Sequence, residues 1–345
     1  MTLVLPETLK ESGVDCLLSG WAEAAADGDG GITLDLGRLS HLERTAGAVL
    51  ANALLGTLGD LDMNVRLPEA DFDRLGATGL AFALANRRGS TTLETAPSWA
   101  ERDLWRRRWT PGAQLPLFEI EDSDALFSPT ELGEAELSPD VLGKSFAAFV
   151  DSHVVGSSRS SENHPTATAI WPWLDRLLPR SGAGRSAFNT ERRRFIADIG
   201  RLLSELIVNV AQHAWLPRRS LHSLVQVSFT RGGTGSHDRI YLSVQDNGAG
   251  IAATARPKAM AVADCPREDQ DLIARLLQGT IPPWHCGRGM GLPAVADLIR
   301  ARQGDLMIAS GVSRLHVRGH RVSSRAAPFP LQGTVLVAML PLPRQ

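Results

Sequence analysis

Apolar and polar positions alternate with a period of two in Ile32-Thr-Leu-Asp-Leu36, Asn64-Val-Arg-Leu67, Leu224-Val-Gln-Val-Ser-Phe229 and Arg239-Ile-Tyr-Leu-Ser-Val-Gln245, the spacing of half-buried strands. Residues 2–5, 305–310, 314–318 and 334–340 read as further strands. Helical spacing replaces alternation over Glu7–Ala25, 46–55, Phe72–Asn86, Asp269–Leu277 and Leu292–Arg302. It is clearest from Thr190 to Ala214, where Phe195, Ile199, Leu202, Leu206 and Val210 form one stripe for packing on a sheet. Ser40-His-Leu-Glu43 has the spacing of a capping box ahead of the second of these helices. The glycine-rich Arg231-Gly-Gly-Thr-Gly-Ser236 between two strands predicts an antiparallel hairpin.

These elements divide the chain. Residues 1–90 alternate strands with helices, as a small α/β layer with crossover connections does. Residues 91–184 are a connecting region with short helices near 144–155 and 171–178 and a polar stretch at 157–165. Its patch Trp99-Ala-Glu-Arg-Asp-Leu-Trp105-Arg-Arg-Arg-Trp109 reads as tryptophans packing a short helix with the arginines in water. Residues 185–345 hold the remaining strands and helices and the candidate chemistry.

Composition narrows the classes. A hydrophobic fraction of 43% excludes wholesale disorder, and a net charge of −2 gives no global attraction to nucleic acid or anionic lipid. The first residues lack a basic region followed by a long apolar one, and no apolar run is long enough to span a bilayer. Cys16, Cys265 and Cys286 show no Cys-x-x-Cys spacing. The expectation is a cytoplasmic protein.

Three stretches suit phosphate chemistry. The strand 239–245 runs into Asp246-Asn-Gly248-Ala-Gly250-Ile251, which puts a carboxylate at a strand end beside a turn where the backbone can approach a ligand. Upstream, Glu205, Asn209 and His213 follow one another at i, i+4, along one edge of the helical stripe. An Asn oxygen suits a Mg²⁺ that keeps most of its waters, and a Glu one turn away suits a proton acceptor; His213 reads as a polar lining residue. Downstream, Gly287-Arg-Gly289-Met-Gly291-Leu292 immediately precedes a helix, so its N–H groups suit a phosphate.

Taken in order, these stretches resemble the GHKL superfamily of gyrase-type, heat-shock-chaperone, histidine-kinase and MutL-type ATPases. Glu205-x-x-x-Asn209 is similar to the family's N box, Asp246-x-Gly248-x-Gly250 to its first glycine box, Gly287-x-Gly289-x-Gly291 to its second, and Gly333-Thr334 to its last. The resemblance implies a C-terminal α/β sandwich of the Bergerat type, a mixed sheet with helices on one face, binding ATP and Mg²⁺. It assigns the adenine amino group to Asp246, Mg²⁺ to Asn209 and the base role to Glu205. Ile251, Arg288, Met290, Leu292 and Thr334 join the implied cofactor-binding set. It also makes 252–286 an ATP lid hinged on Gly287–Gly291.

Within the superfamily, the style is closest to anti-sigma-factor Ser/Thr kinases. Residues 1–90, through Leu34-Asp-Leu36 and Glu43-Arg-Thr-Ala-Gly47, resemble the STAS fold of the antagonists those kinases phosphorylate. Thr45 stands where the family has its phosphorylatable residue, without the rest of that motif. The implied function is an ATP-binding regulatory protein, a Ser/Thr protein kinase or a slow ATPase switch. The alternative is an ATP-gated interaction module with little turnover. The expected partner is a regulatory protein, of STAS type; a homodimer is left open, and neither membrane nor nucleic acid is expected.

Overall fold

The computed structural model describes residues 2–26, 32–66, 90–93, 118–120, 223–230, 238–261, 265–281 and 291–343. It adds helical positions 80, 83 and 84 and, between 191 and 210, positions 191, 194, 195, 198, 199, 202, 205, 206, 209 and 210. The helices expected at 144–155 and 171–178, and the tryptophan-arginine patch, lie outside these residues.

In the N-terminal unit, β1 (Thr2–Val4), β3 (Ile32–Asp35), β5 (Met63–Arg66) and β6 (Thr91–Leu93) form a parallel sheet in the order β1-β3-β5-β6. A second, two-stranded pairing joins β2 (Thr8–Leu9) to β4 (His41–Leu42). Because β2 occupies Thr8–Leu9, helix α1 starts at Glu11 and runs to Ala26, four residues later than periodicity alone suggested. Helix α2 is Arg44–Leu55. The expected capping box does not form. Glu43 is the N-cap with no side-chain bond to its own helix, and its carboxylate instead accepts the Glu11 N–H of α1 at 3.0 Å. Ser40 Oγ donates to the Glu7 carbonyl.

The larger sheet has the order β10-β11-β9-β8-β7. It comprises β7 (Phe118–Ile120), β8 (Ser223–Thr230), β9 (Arg239–Asp246), β10 (Asp305–Arg318) and β11 (Arg321–Pro341). Every described pairing in it is antiparallel, in place of the mixed sheet that the resemblance implied. Its edge strand β7 comes from the segment read as a connection. Three strands, with a Pro-containing loop before the last, were expected after residue 304; one long β10–β11 hairpin forms instead. Register shifts at Ser310/Gly311 and Gly311/Ser313 let β10 continue through its glycine.

Both faces of this sheet are covered, whereas helices on one face only were expected. Alternation sorts the side chains. Ile240, Leu242, Val244, Leu306, Ile308, Leu336 and Ala338 pack with the stripe Phe195, Ile199, Leu202, Leu206 and Val210. The same cluster takes in α3 (Ile251–Ala259), α4 (Asp269–Leu277) and α5 (Gly291–Ala301). Met307, Ala309, Val335 and Val337 face the other way and join the N-terminal unit's core around Leu18, Trp21, Val49, Leu50 and Leu54. In α2 every residue from Ala46 to Leu55 is buried.

Helix α3 was not expected, because its alanines give little apolar contrast and Pro257 sits inside it. Its Ala252, Ala255 and Ala259, with Leu272, Ile273 and Leu277 of α4 and Ile281, are core residues. The described part of 252–286 is therefore packed framework and not a lid over a site. Among the described residues no helix is long and apolar enough to cross a membrane.

The two units are also joined by charge. Arg314 of β10 is fully buried, and all its donors are used. Nε and Nη2 donate to Asp15 Oδ1 of α1 at 3.1 and 2.8 Å, Nη1 to the carbonyls of Gly311 and Ser313, and Nη2 also to that of Phe329. Arg325 Nη1 lies 2.7 Å from Asp15 Oδ2, an ion pair rather than an aligned hydrogen bond. Glu11 of α1 pairs with His316 and Arg325 at the rim. Removing one member of a buried pair strands the other charge, at about 3–5 kcal/mol. Asp15→Asn is expected to lose stability of that order in denaturant unfolding; a loss below about 1 kcal/mol would show that Arg314 is satisfied by its carbonyls alone.

Candidate functional site

The site is built at the end of β9. Asp246 is the last residue of that strand and pairs with Ser223 of β8 on one side and Thr334 of β11 on the other. By alternation it shares the helix-covered face with Ile240, Leu242 and Val244. The residue is 5% exposed. Its Oδ1 accepts the Gly248 N–H at 2.9 Å, and the Thr334 N–H also bonds the carboxylate. Burial pushes its pKa up to about 7, against the downward pull of those two N–H groups. No cation among the described residues offsets the burial. A carboxylate kept dry without a counter-charge is costly to a fold and is the kind of group found at functional sites.

Glycine fixes the approach of the neighbouring strand. Gly333 has φ +84°, and a Cβ there would lie 1.9 Å from the Asp246 carbonyl oxygen and 2.7 Å from the Gly248 nitrogen. Only glycine lets β11 pass so close. Gly250, also at φ +84°, turns the chain into α3. The first N–H of that helix, on Ile251, donates to Ser310 Oγ at 2.9 Å. Ser310 Oγ in turn lies 3.2 Å from the Gly333 carbonyl and 3.3 Å from Thr334 Oγ1. Gly248, Gly250, Ile251 and Thr334 are thus brought around Asp246. Ser310 was missed by the sequence reading; the available signal was a hydroxyl closing the apolar run Leu306–Ala309.

The second half of the site comes from the 191–210 helical positions. Leu206 and Val210 are buried in the core while Glu205 and Asn209 are only partly buried, so the polar pair lies at the edge of the stripe. Glu205 Oε2 accepts the Gly291 N–H at 3.3 Å, which ties this edge to the first residue of α5. Asn209 Nδ2 is buried with no hydrogen-bond partner among the described residues. Ile251 and Leu292 pack against the same core cluster as Leu206 and Val210. These two therefore supply apolar lining. His213, Gly287, Arg288, Gly289 and Met290 lie outside the described residues.

The donor set fits a magnesium-bound polyphosphate. An amide with an unpartnered buried nitrogen needs a further partner, and Asn also carries a hard oxygen for Mg²⁺. No group of three His, Cys, Asp or Glu gathers into a metal site among the described residues, so such an ion would keep most of its ligands from phosphate and water. A cavity of about 580 Å³ lies at the other end of β9, beside Arg239, Arg302 and Met339, and contains none of these residues.

Residues 196–344 match the family model of the histidine kinase-, DNA gyrase B-, and HSP90-like ATPases. No curated protein matches the chain. The family match supports a GHKL-type ATP-binding domain over the residues that build this site.

The buried carboxylate has a measurable consequence. The folded-state pKa of Asp246 lies above its unfolded value of about 3.9, so the folded protein binds the extra proton at intermediate pH. Stability contributed by that proton falls as pH rises from about 4 to about 7 and is gone above it. In ligand-free protein, Asp246→Asn is expected to gain Tm relative to wild type across that window and to hold the gain above it. Parallel Tm-against-pH curves for the two proteins would show that Asp246 is not kept neutral by burial.

Proposed function

We propose that the C-terminal unit binds Mg-ATP and works as a regulatory phosphoryl-transfer enzyme, a Ser/Thr protein kinase or a slow ATPase. The observation that carries the reading is Asp246. It is a buried carboxylate with no counter-charge among the described residues, at a strand end framed by glycines, within the matched ATPase region. Such a group can accept the exocyclic amino group of adenine, which replaces the donor that burial denied it. Asn209 would hold Mg²⁺ through its amide oxygen, and the N-terminal turn of α5 would face phosphate with the N–H groups of Gly291 and Leu292.

Bound Mg-ATP would supply an electrophilic γ-phosphate. Glu205 is the proton acceptor for the attacking hydroxyl, from water or from a Ser or Thr of another protein. In the ligand-free state its carboxylate accepts the Gly291 N–H, and phosphate binding at that N–H would remove this bond. Transfer to Thr45 within the same chain is disfavoured. Helix α2 packs on the face of the sheet opposite the helices of the site, and Thr45 Oγ1 is buried. The acceptor is therefore a second protein or water, and the N-terminal unit reads as a regulatory cover rather than a substrate.

Losing a charged hydrogen bond to adenine costs about 1.5–3 kcal/mol, so Asp246→Ala is expected to weaken ATP binding roughly ten- to a hundredfold. Equal affinities in calorimetric titration would remove the adenine assignment. Glu205→Ala is expected to bind ATP but to slow its turnover by ~10²- to 10⁴-fold. Turnover of radiolabelled ATP within twofold of wild type would leave Glu205 without a chemical role and favour an ATP-gated interaction module.

A further inference from the structure

The contact that stands out beyond the site itself comes from the opposite face of the sheet. Asn52 of α2 is 2% exposed, and its Nδ2 donates to the backbone carbonyl of Asp246 at 2.6 Å and lies 3.5 Å from that of Thr334. These are the partners of the ladder pair that ends at the site. Its Oδ1 is buried without a partner among the described residues. A buried amide satisfied on one side only is destabilising in an otherwise apolar helix face, where leucine would pack at less cost.

The residues after Asn52 grip the same strand ends. Thr57 Oγ1 donates to the Pro330 carbonyl and accepts the Gln332 N–H at 2.9 Å. Gln332 Nε2 donates to the Asn247 carbonyl at 2.7 Å. Between them, Gly333 passes so close to Asp246 that a Cβ there would collide with its carbonyl. The end of α2 therefore holds from behind the backbone whose front carries the carboxylate.

We propose that Asn52 is a positioning residue for nucleotide recognition, fixing the Asp246 and Thr334 backbones from the N-terminal unit so that docking of that unit and adenine affinity are coupled. The inference rests on the ATP reading given above. Coupling of this kind is reciprocal: whatever loosens α2 weakens the nucleotide, and the nucleotide tightens α2.

The test uses the full chain. Asn52→Leu keeps the branching of the side chain and removes the donor. It is expected to weaken ADP binding about tenfold in calorimetry and to reduce the preference for ADP over GDP. Binding of inorganic triphosphate, which has no base to read, should stay unchanged. Equal weakening of all three ligands would mark Asn52 as merely structural and overturn the proposal, as would unchanged ADP affinity. Should Asn52→Leu fail to fold, hydrogen exchange in the wild type decides. ADP is expected to slow exchange in residues 44–58, and no change there would overturn the coupling. Failure of the ATP reading shows differently, as wild type that binds no adenine nucleotide or binds it equally after Asp246→Ala.

Discussion

Burial of both faces of one antiparallel sheet is the constraint on which the rest of the structure depends. Strands β9 and β11 alternate apolar residues toward two separate cores, so neither strand can shift register by one residue without exchanging the two sets. That fixes where β9 ends, which places Asp246 opposite Thr334, and it fixes the height at which Gly333 passes the Asp246 carbonyl. The site inherits its geometry from packing on the far side as well as from the helices that surround it.

Charge then makes the second interface particular. Apolar contact alone would let α1 and α2 slide over the sheet, since hydrophobic attraction is non-directional. The Arg314 guanidinium prevents this, because its donors are shared between Asp15 and three carbonyls in a fixed fork. Asn52 does the same for α2 with a single amide. Both are buried polar groups whose value lies in register rather than in net stability.

Elements with strong period or glycine punctuation were legible in the sequence. Helix α4 occupies the predicted Asp269–Leu277, and β8 and β9 form the predicted hairpin. The strands 32–36 and 64–67 were found to within a residue or so of their ends. What failed depended on distant partners. The Ser40–Glu43 spacing looked local, yet Glu43 serves α1, thirty-two positions away in sequence. The connection after Gly250 looked like a lid because it is long for a connection and the family resemblance implied one there. In space its alanines are small residues that let α3 lie close to the core. The Pro-containing stretch before Thr334 looked like a loop, but Ala327, Phe329 and Leu331 are buried within β11.

The site divides along the same line. Asp246, Gly248 and Gly250 could be read because strand end, turn and carboxylate are contiguous, and Glu205 with Asn209 because one helix turn separates them. Ser310 and Asn52 could not, since each acts through a backbone carbonyl that sequence does not point to. The asymmetry has a physical origin. Groups that touch a ligand must be presented by a local turn or helix face, and such faces leave a spacing. Groups that hold the presenting backbone need only arrive from any direction, so they leave none. In this chain Ser310 comes from a neighbouring strand of the same sheet and Asn52 from a unit that lies on its other side. The local motif therefore presents the candidate site, while the distant contacts reach the backbone behind it.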